Sequence, residues 1–308
     1  ALHSLPIDKA RPAIQSFQGA TETFIIDAEL TGDIRSLARD SSATLFMTLQ
    51  TAFVSAISRL SGSLDIVLGS QIANRNRAEI EPLIGFFVNT LVLRTRLIGD
   101  PTFTQLLSQI RDDDLAAYAH QDLPFEQLVD SLQPERSTSH HPLFQISFLL
   151  QNAPKGELDI AGMTISPVEQ PSQTSKFDLS LVIFESNDGL SGAFEYSTDV
   201  FNVDSIHRLK QCFLSMLIAV TDNPHIRVSE VNILSKDQRH TLLNRWNGNS
   251  LDNVFCKQSL SAQANDLAVN AGLVHEVFEN QALASPGAVA LRFGQQSLSY
   301  GELNLRAN

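Results

Sequence analysis

The chain has 308 residues and a mass of 33.9 kDa, which is enough for one large domain or two modest ones. Its net charge of −12 at pH 7 argues against a general nucleic-acid-binding protein, because such a protein needs a basic surface. The chain has two cysteines, Cys212 and Cys256, and no apolar run long enough to cross a bilayer. The sequence therefore predicts neither a disulfide framework nor a membrane span, and it favours a reducing cytoplasm.

Short strands and amphipathic helices are interspersed along the chain. In chain order, the predicted elements are an extended segment over residues 4–19, a strand at Thr23–Ala28, a helix at Asp33–Ser41, a helix between Thr44 and Gly62, a strand at Asp65–Ser70, a loop at Asn74–Arg77, a helix over residues 102–119, a helix from Pro124 to Leu132, strands at Leu143–Leu150, Met163–Val168, Phe177–Glu185 and Leu190–Tyr196, and a helix at Val203–Val220. Thr44 is the predicted N-cap of a helix with a single apolar face. Asn187-Asp188-Gly189 predicts a hairpin turn. This mixture predicts an α/β or α+β architecture.

Three short blocks carry the residues of greatest functional interest. Block one is Ile84–Arg94, block two is His120–Glu126 and block three is Arg136–Leu143. In block one, two aromatics and a β-branched run favour a strand or loop that packs against a wall. Asn89 is its polar exception, and a buried amide must find hydrogen-bond partners. It either holds a neighbouring loop or faces a substrate tunnel.

Several polar residues in these blocks have plain structural interpretations. Asp122 is well placed as an N-cap, with Phe125 as the apolar anchor behind it. His120 has a side-chain type that titrates near neutral pH, and it is a candidate general base on that ground. The adjacent His140 and His141 would need further ligands to hold a metal, and none follows at suitable spacing.

A run of three carboxylates lies on the helix predicted over residues 102–119. Successive residues of a helix point to different sides, so Asp112, Asp113 and Asp114 are poor joint metal ligands. A solvated helix face is the prediction for this run.

In their order and spacing, the three blocks resemble the last three signature motifs of condensation domains of nonribosomal peptide synthetases. Block three departs from the family pattern Arg-Asp-x-Ser-Arg-Asn-Pro-Leu at Ser137, His140 and His141. The family accepts Asn at the position of His120, which argues against a general base there. The family's catalytic motif, His-His-x-x-x-Asp-Gly, is expected upstream of residue 1. The resemblance therefore implies no catalytic residue in this chain.

The resemblance implies a chloramphenicol-acetyltransferase-like lobe with a mixed sheet flanked by helices. Its implied tunnel or inter-lobe residues are Arg75, Gly85, Phe87, Asn89, Thr90, His120, Gln121, Asp122 and Arg136. Asn89 would orient the catalytic region. Arg75 either pairs with a carboxylate of the other lobe, such as the Asp of the catalytic motif, or is a solvated surface arginine.

The last part of the chain resembles a different domain. Leu298-Ser299-Tyr300-Gly301-Glu302-Leu303 is similar to the first motif of synthetase adenylation domains, Leu-Thr/Ser-Tyr-x-Glu-Leu. The predicted organisation is a condensation C-terminal lobe at residues 1–245, a linker at 246–273 and a truncated adenylation start at 274–308. The chain begins without Met and ends inside a predicted helix, so both ends are expected to be cuts through a longer polypeptide.

The resemblance implies amide-bond formation between thioesters on upstream and downstream carrier domains, with phosphopantetheine on those partners. No cofactor is expected on this fragment, and ATP and Mg would serve only the missing adenylation part. The fragment is expected to be inactive alone. The alternative is a noncatalytic module that docks carrier proteins or modifying enzymes. The adenylation-like tail disfavours a stand-alone coenzyme A acyltransferase, and the sequence of block one disfavours epimerisation; cyclisation stays open.

Overall fold

The computed structural model describes residues 2–75, 78–80, 83–151, 173–186, 189–234, 236–246, 274–294 and 296–307. Contacts within the chain group it into two units, Ala1–Asp237 and Gln238–Asn308. Among the described residues, no helix is long and apolar enough to span a membrane.

The first unit is built from strands and helices in mixed order. Its elements are β1 (Gly19–Ile26), α1 (Ala28–Asp40), α2 (Leu45–Ser61), β2 (Asp65–Ile72), a 3₁₀ turn (Ala78–Ile80), β3 (Asn89–Arg96), α3 (Phe103–Tyr118), α4 (Phe125–Leu132), β4 (Ile146–Gln151), β5 (Leu179–Ser186), β6 (Gly189–Ser197), α5 (Val203–Asp222) and a 3₁₀ turn (Val228–Glu230). Helix α6 (Lys236–His240) begins in the first unit, and the π-helical turn that follows it (Thr241–Trp246) belongs to the second. The predicted strand Met163–Val168 and most of the predicted linker lie outside the described residues.

The six strands form one mixed sheet in the order β1-β6-β5-β4-β2-β3. The β2–β4 and β4–β5 pairs are parallel and the other pairs are antiparallel. Ser186 pairs with Gly189, which confirms the predicted hairpin, although its turn residues Asn187 and Asp188 lie outside the described residues. The mixed sheet with flanking helices confirms the predicted α/β class.

Helix α2 is the centre of the core. It packs against α1, α3, α5 and the sheet, so every residue from Met47 to Ser58 is buried. The prediction of a single apolar face was therefore wrong, because neighbours surround this helix. A cluster of phenylalanines joins it to the sheet and α5, with Phe53 ring centroids 6.0 Å from Phe148, 6.1 Å from Phe194 and 6.2 Å from Phe213.

Capping residues decide where the helices begin and end. Thr44 accepts from the Met47 amide, and Gly62 ends α2 with a left-handed φ of 70°, as predicted. Helix α1 begins at Ala28, five residues before the predicted start, because the side chain of Asp27 accepts from the Leu30 amide. The predicted strand Thr23–Ala28 was consequently placed too late, since β1 starts at Gly19 and ends at Ile26.

The second unit contains helix α7 (Val274–Ala284), a hairpin of β7 (Val289–Phe293) and β8 (Gln296–Ser299), and helix α8 (Tyr300–Ala307). Ser299 and Glu302 cap α8 reciprocally: Ser299 donates from its amide to Glu302 Oε2 and accepts from the Glu302 amide. Several large apolar side chains of this unit are exposed, namely Leu283, Leu291, Phe293 and Leu305.

Cys212 gives a local test of the packing of α5 against α2. Its thiol is buried and lies 3.9 Å from the Ala56 carbonyl oxygen, and burial raises the pKa of Cys212 to about 12. Because the thiolate is the reactive species, Cys212 should be alkylated only when the first unit unfolds. In a Cys256→Ser background, labelling by iodoacetamide should follow the urea unfolding transition. Rapid labelling of the folded chain would contradict this packing.

Candidate functional site

Asn89 connects block one to block two. It is the first residue of β3, and its Nδ2 donates to the carbonyl oxygens of Gln121 and Leu123, both at 2.8 Å. Its Oδ1 accepts from the backbone amides of Thr90 at 2.9 Å and Phe125 at 3.2 Å. These four bonds use both donors and both acceptor positions of the amide. Asn89 therefore holds a neighbouring loop, the first of the two roles that the sequence allowed.

Asn89 also caps helix α4, although it lies far from that helix in sequence. The N-cap of α4 is Pro124, whose side chain has no hydrogen-bonding group, and the Asn89 side chain accepts from the first helical amide, that of Phe125. The predicted N-cap, Asp122, was wrong, because its exposed side chain lies two residues before the cap. His120 is exposed as well, and its carbonyl accepts from the Leu123 amide within the turn.

Aromatic rings connect block two to block three. Phe125 stacks on His141 with ring centroids 5.3 Å apart and an interplanar angle of 27°. His141 lies 4.5 Å from Phe144 and 5.1 Å from Phe177, between centroids. A Cβ on Gly69 of β2 would lie 2.0 Å from the Phe144 ring, so a larger residue there would displace that ring. Blocks two and three thus share one packed cluster on the outer face of the sheet.

The two histidines of block three are structural groups. Burial lowers the pKa of His141, and its Nδ1 lies 2.8 Å from the Pro142 carbonyl oxygen. Burial and the Arg11 charge lower the pKa of His140, whose Nδ1 lies 2.9 Å from Ser139 Oγ. Among the described residues, no group of three or more His, Cys, Asp or Glu side chains is placed to hold a metal ion. Both rings are therefore favoured as neutral partners in packing and hydrogen bonding.

The N-terminal segment is fixed to block three through a buried charge that the sequence did not reveal. Asp178 accepts from Arg11 at 2.8 and 2.5 Å and contacts His3 Nε2 at 3.0 Å. Burial by itself would raise the pKa of Asp178, but the hydrogen bonds from His3 and Arg11 outweigh it and hold that pKa below its ordinary value. Arg11 also donates to the Ser139 carbonyl. These residues are far apart in sequence, and no short motif marks them.

The loop before β3, which includes the start of block one, carries an apolar crest in contact with solvent. The crest consists of Leu83, Ile84, Phe86 and Val88, all exposed, with Ile84 and Phe86 almost fully so. The expectation that block one packs against a wall holds for β3 and is wrong for Ile84, Phe86 and Val88 within this chain. Exposed apolar patches on a protein surface commonly mark an interaction site.

Arg75 and Phe87 support the loop that carries the crest. The Arg75 guanidinium lies 4.3 Å from the centroid of the Phe87 ring, and it donates to the Ile80 carbonyl at 2.6 Å. A Cβ on Gly85 would lie 3.0 Å from the same ring. Arg75 therefore stabilises the loop from within this chain, by a cation–π contact and a hydrogen bond.

Arg136 does not join the cluster around Asn89. Its guanidinium lies 3.6 Å from Asp130 in an exposed pair beside the end of α4. A cleft of about 490 Å³ lies near that end of the helix, and its lining includes Leu132, Val92, Arg94 and His3. The structure thus brings Asn89, Thr90 and Gln121 together, and leaves His120, Asp122 and Arg136 at the surface.

Comparison with known proteins gives consistent matches. The condensation-domain profile matches residues 1–243. A linear gramicidin synthase of Brevibacillus parabrevis is 42% identical over 309 residues, which covers 100% of this chain and 6% of that protein. Malpinin synthetase of Mortierella alpina is 41% identical over 307 residues, which covers 100% of this chain and 4% of that protein. The chain therefore spans a small part of each of these relatives.

Two solved structures extend the comparison to the fold. The complex of the X-domain and OxyB from teicoplanin biosynthesis is similar with a TM-score of 0.69 and 26% identity, over 77% of this chain and 52% of that chain. A four-domain nonribosomal peptide synthetase, holo-AB3403 bound to AMP and glycine, has a TM-score of 0.69 and 22% identity, over 99% of this chain and 24% of that chain.

Replacing Asn89 with alanine should destabilise the first unit by about 2 kcal/mol, because it leaves two carbonyls and two amides without this partner. Amide hydrogen exchange at Phe125 should accelerate at the same time. Asn232→Ala is the matched control, since Asn232 is exposed and accepts only from the nearby Leu234 amide in the described structure; it should change stability by less than about 0.5 kcal/mol. Unchanged exchange at Phe125 in Asn89→Ala would refute the capping role.

Replacing Arg11 with alanine should cost about 3 kcal/mol, because it leaves the buried Asp178 charge without its two hydrogen bonds from the guanidinium. The double variant Arg11→Ala/Asp178→Asn should recover part of that loss. Since the folded-state pKa of Asp178 is lowered, the stabilisation is present above the unfolded-state pKa and is lost as the pH falls through the folded-state pKa. Urea unfolding between pH 7 and pH 3 measures both effects, and equal losses in the single and double variants would contradict the coupling.

Proposed function

Because the chain belongs to the condensation-domain family of nonribosomal peptide synthetases, we propose that it supplies the C-terminal lobe of such a domain and thereby one wall of a site for amide-bond formation. The catalytic His-His-x-x-x-Asp-Gly motif, which does not occur in the printed sequence, comes from a preceding lobe. The 308-residue chain is therefore inactive alone.

The observation that carries this proposal is the apolar crest. Four apolar side chains, Leu83, Ile84, Phe86 and Val88, point away from the core of the unit that carries them. Their loop is nevertheless stabilised at its base by Arg75 and Phe87. A supported loop with an apolar outer surface is suited to bind a second protein surface. In this proposal the crest packs on the preceding lobe and helps to close the tunnel between the lobes.

The extent of the structural match supports the same division. The X-domain match covers about half of the solved chain, although it covers most of this one. One lobe of a two-lobed fold would give that proportion. Within this lobe, Asn89 and Thr90 lie at the point where the crest meets β3, so Asn89 positions the loop of block two without reacting itself.

The second unit is proposed to begin an adenylation domain, with residues 246–273 as the linker. The relative at 42% identity aligns over the whole chain, and the fold likeness to the four-domain synthetase covers 99% of it. The exposed Leu283, Leu291, Phe293 and Leu305 would then pack against the remainder of that domain. ATP and Mg belong to that remainder. Phosphopantetheine belongs to the carrier domains that bring the donor and acceptor thioesters.

A second candidate function is a noncatalytic module that docks a carrier protein or a modifying enzyme. It is favoured by the likeness, at 26% identity, to an X-domain solved in complex with OxyB. The two candidates differ in one outcome: a condensation lobe yields an amide when its catalytic lobe is supplied, whereas a docking module binds its partner and yields none.

The test joins the 308-residue chain to the preceding lobe of the linear gramicidin synthase that is 42% identical, and follows amide formation between loaded carrier domains by mass spectrometry. The joined protein should form the amide and the chain alone should not. Ile84→Ser/Phe86→Ser should lower the rate at least about 10-fold, because an apolar contact between lobes is worth more than about 1.4 kcal/mol.

Ile98→Ser is the matched control, because Ile98 is an exposed isoleucine outside the crest. It should leave the rate unchanged. Amide formation by the 308-residue chain alone would refute the proposed division of labour. Carrier binding without amide in the joined protein would favour the docking module.

A further inference from the structure

A buried carboxyl group lies between α2 and α3, away from the candidate site. Asp114 is the third member of the acidic run Asp112–Asp114, and its side chain is 1% exposed, whereas Asp112 and Asp113 are exposed. The predicted solvated face was therefore wrong for Asp114. The helical rotation of about 100° per residue turns this one carboxyl group into the core.

The partner of Asp114 is the amide of Gln50, which is equally buried. Gln50 Nε2 donates to Asp114 Oδ1 at 3.2 Å. In the part of the chain that the structure describes, the other two oxygens, Asp114 Oδ2 and Gln50 Oε1, are buried and have no hydrogen-bond partner. Both are acceptors when the carboxyl group is ionised, and buried acceptors without a donor are costly. One proton on Oδ2 supplies the missing donor.

The surroundings favour the neutral acid. Burial, with a smaller contribution from the neighbouring Asp113 carboxylate, outweighs the lowering effect of the Gln50 hydrogen bond and raises the pKa of Asp114 to about 7. One turn along α3, burial raises the pKa of Tyr118 to about 12, with Asp114 adding to the effect. Helix α2 presents the uncharged Gln50, and β3, which also packs on α3, presents Leu91, Leu93 and Thr95 on its buried side.

We propose that Asp114 is protonated in the folded protein and donates from Oδ2 to Gln50 Oε1, which closes a neutral carboxylic acid–amide pair between α3 and α2. This pair positions the C-terminal end of α3. That end leads directly into the turn at His120–Leu123, whose carbonyls Asn89 holds. The inference does not depend on the proposed function.

The pair makes the first unit sensitive to pH. The folded protein holds the Asp114 proton more tightly than the unfolded chain does, since the pKa is raised on folding. The stabilisation is therefore fully present below the unfolded-state pKa and is lost as the pH rises through about 7. Ionisation leaves a carboxylate facing the Gln50 carbonyl oxygen, and the packing of α3 on α2 weakens.

The experiment measures the unfolding equilibrium between about pH 5.5 and 8.5 by pulsed alkylation of Cys212, in the full chain with Cys256→Ser. Results are expressed relative to Asp114→Asn at the same pH, so that the pH dependence of thiol reactivity cancels. Over this range the reference protein should lose stability by roughly 30-fold in its folding constant relative to Asp114→Asn. Asp112→Asn is the matched control, since Asp112 is an exposed carboxylate of the same run, and it should keep that pH dependence. An identical pH dependence in Asp114→Asn and the reference protein would overturn the proposal.

A second measurement stays decisive even if Asp114→Asn does not fold. The carboxyl carbon of Asp114, observed by NMR in a sample with labelled aspartate, should titrate near pH 7 in the folded protein. The signal is assigned by its displacement in Gln50→Leu, which retains the buried carboxyl group and removes its hydrogen-bond partner. Titration near the ordinary aspartate value of about 4 would overturn the proposal.

Discussion

The side-chain amide of Asn89 is the constraint on which the arrangement of the candidate site depends. Two donors and two acceptor positions are all used within the chain, so the end of β3, the turn after α3 and the start of α4 share one fixed geometry. Helix α4 has only eight residues and no fully buried side chain. Such a short helix gains little from propensity, and its position depends on this cap and on the ring contacts of Phe125.

Two buried carboxyl groups stabilise the first unit in opposite protonation states. Asp178 is held as a charge because Arg11 and His3 supply donors that outweigh burial. Asp114 faces a single amide and a carboxylate neighbour, so burial dominates and favours the neutral acid. The difference follows from the number of cationic donors within reach and not from depth, since both side chains are almost inaccessible. One group therefore loses its contribution in acid and the other at higher pH.

Family membership and the exposed apolar crest both favour the proposal that the first unit is one lobe of a condensation domain. The sheet and its helices bury a continuous core that includes α2 and α5, yet the loop before β3 presents its apolar residues to solvent. A supported loop of this kind is consistent with a lobe that is completed by another. The second unit exposes apolar side chains as well, which the adenylation domain proposed above would cover.

The sequence by itself determined the elements that depend on local chemistry. The cap at Thr44, the stop at Gly62 and the α/β class all follow from short-range patterns and are confirmed. The three blocks also identified the family. Only the tertiary structure decided which partner each polar group meets: Asn89 rather than Asp122 caps α4, Asp114 is buried, and Arg11 reaches Asp178, 167 residues further along the chain. Those choices depend on contacts between distant segments, and a single sequence carries no local signal for them.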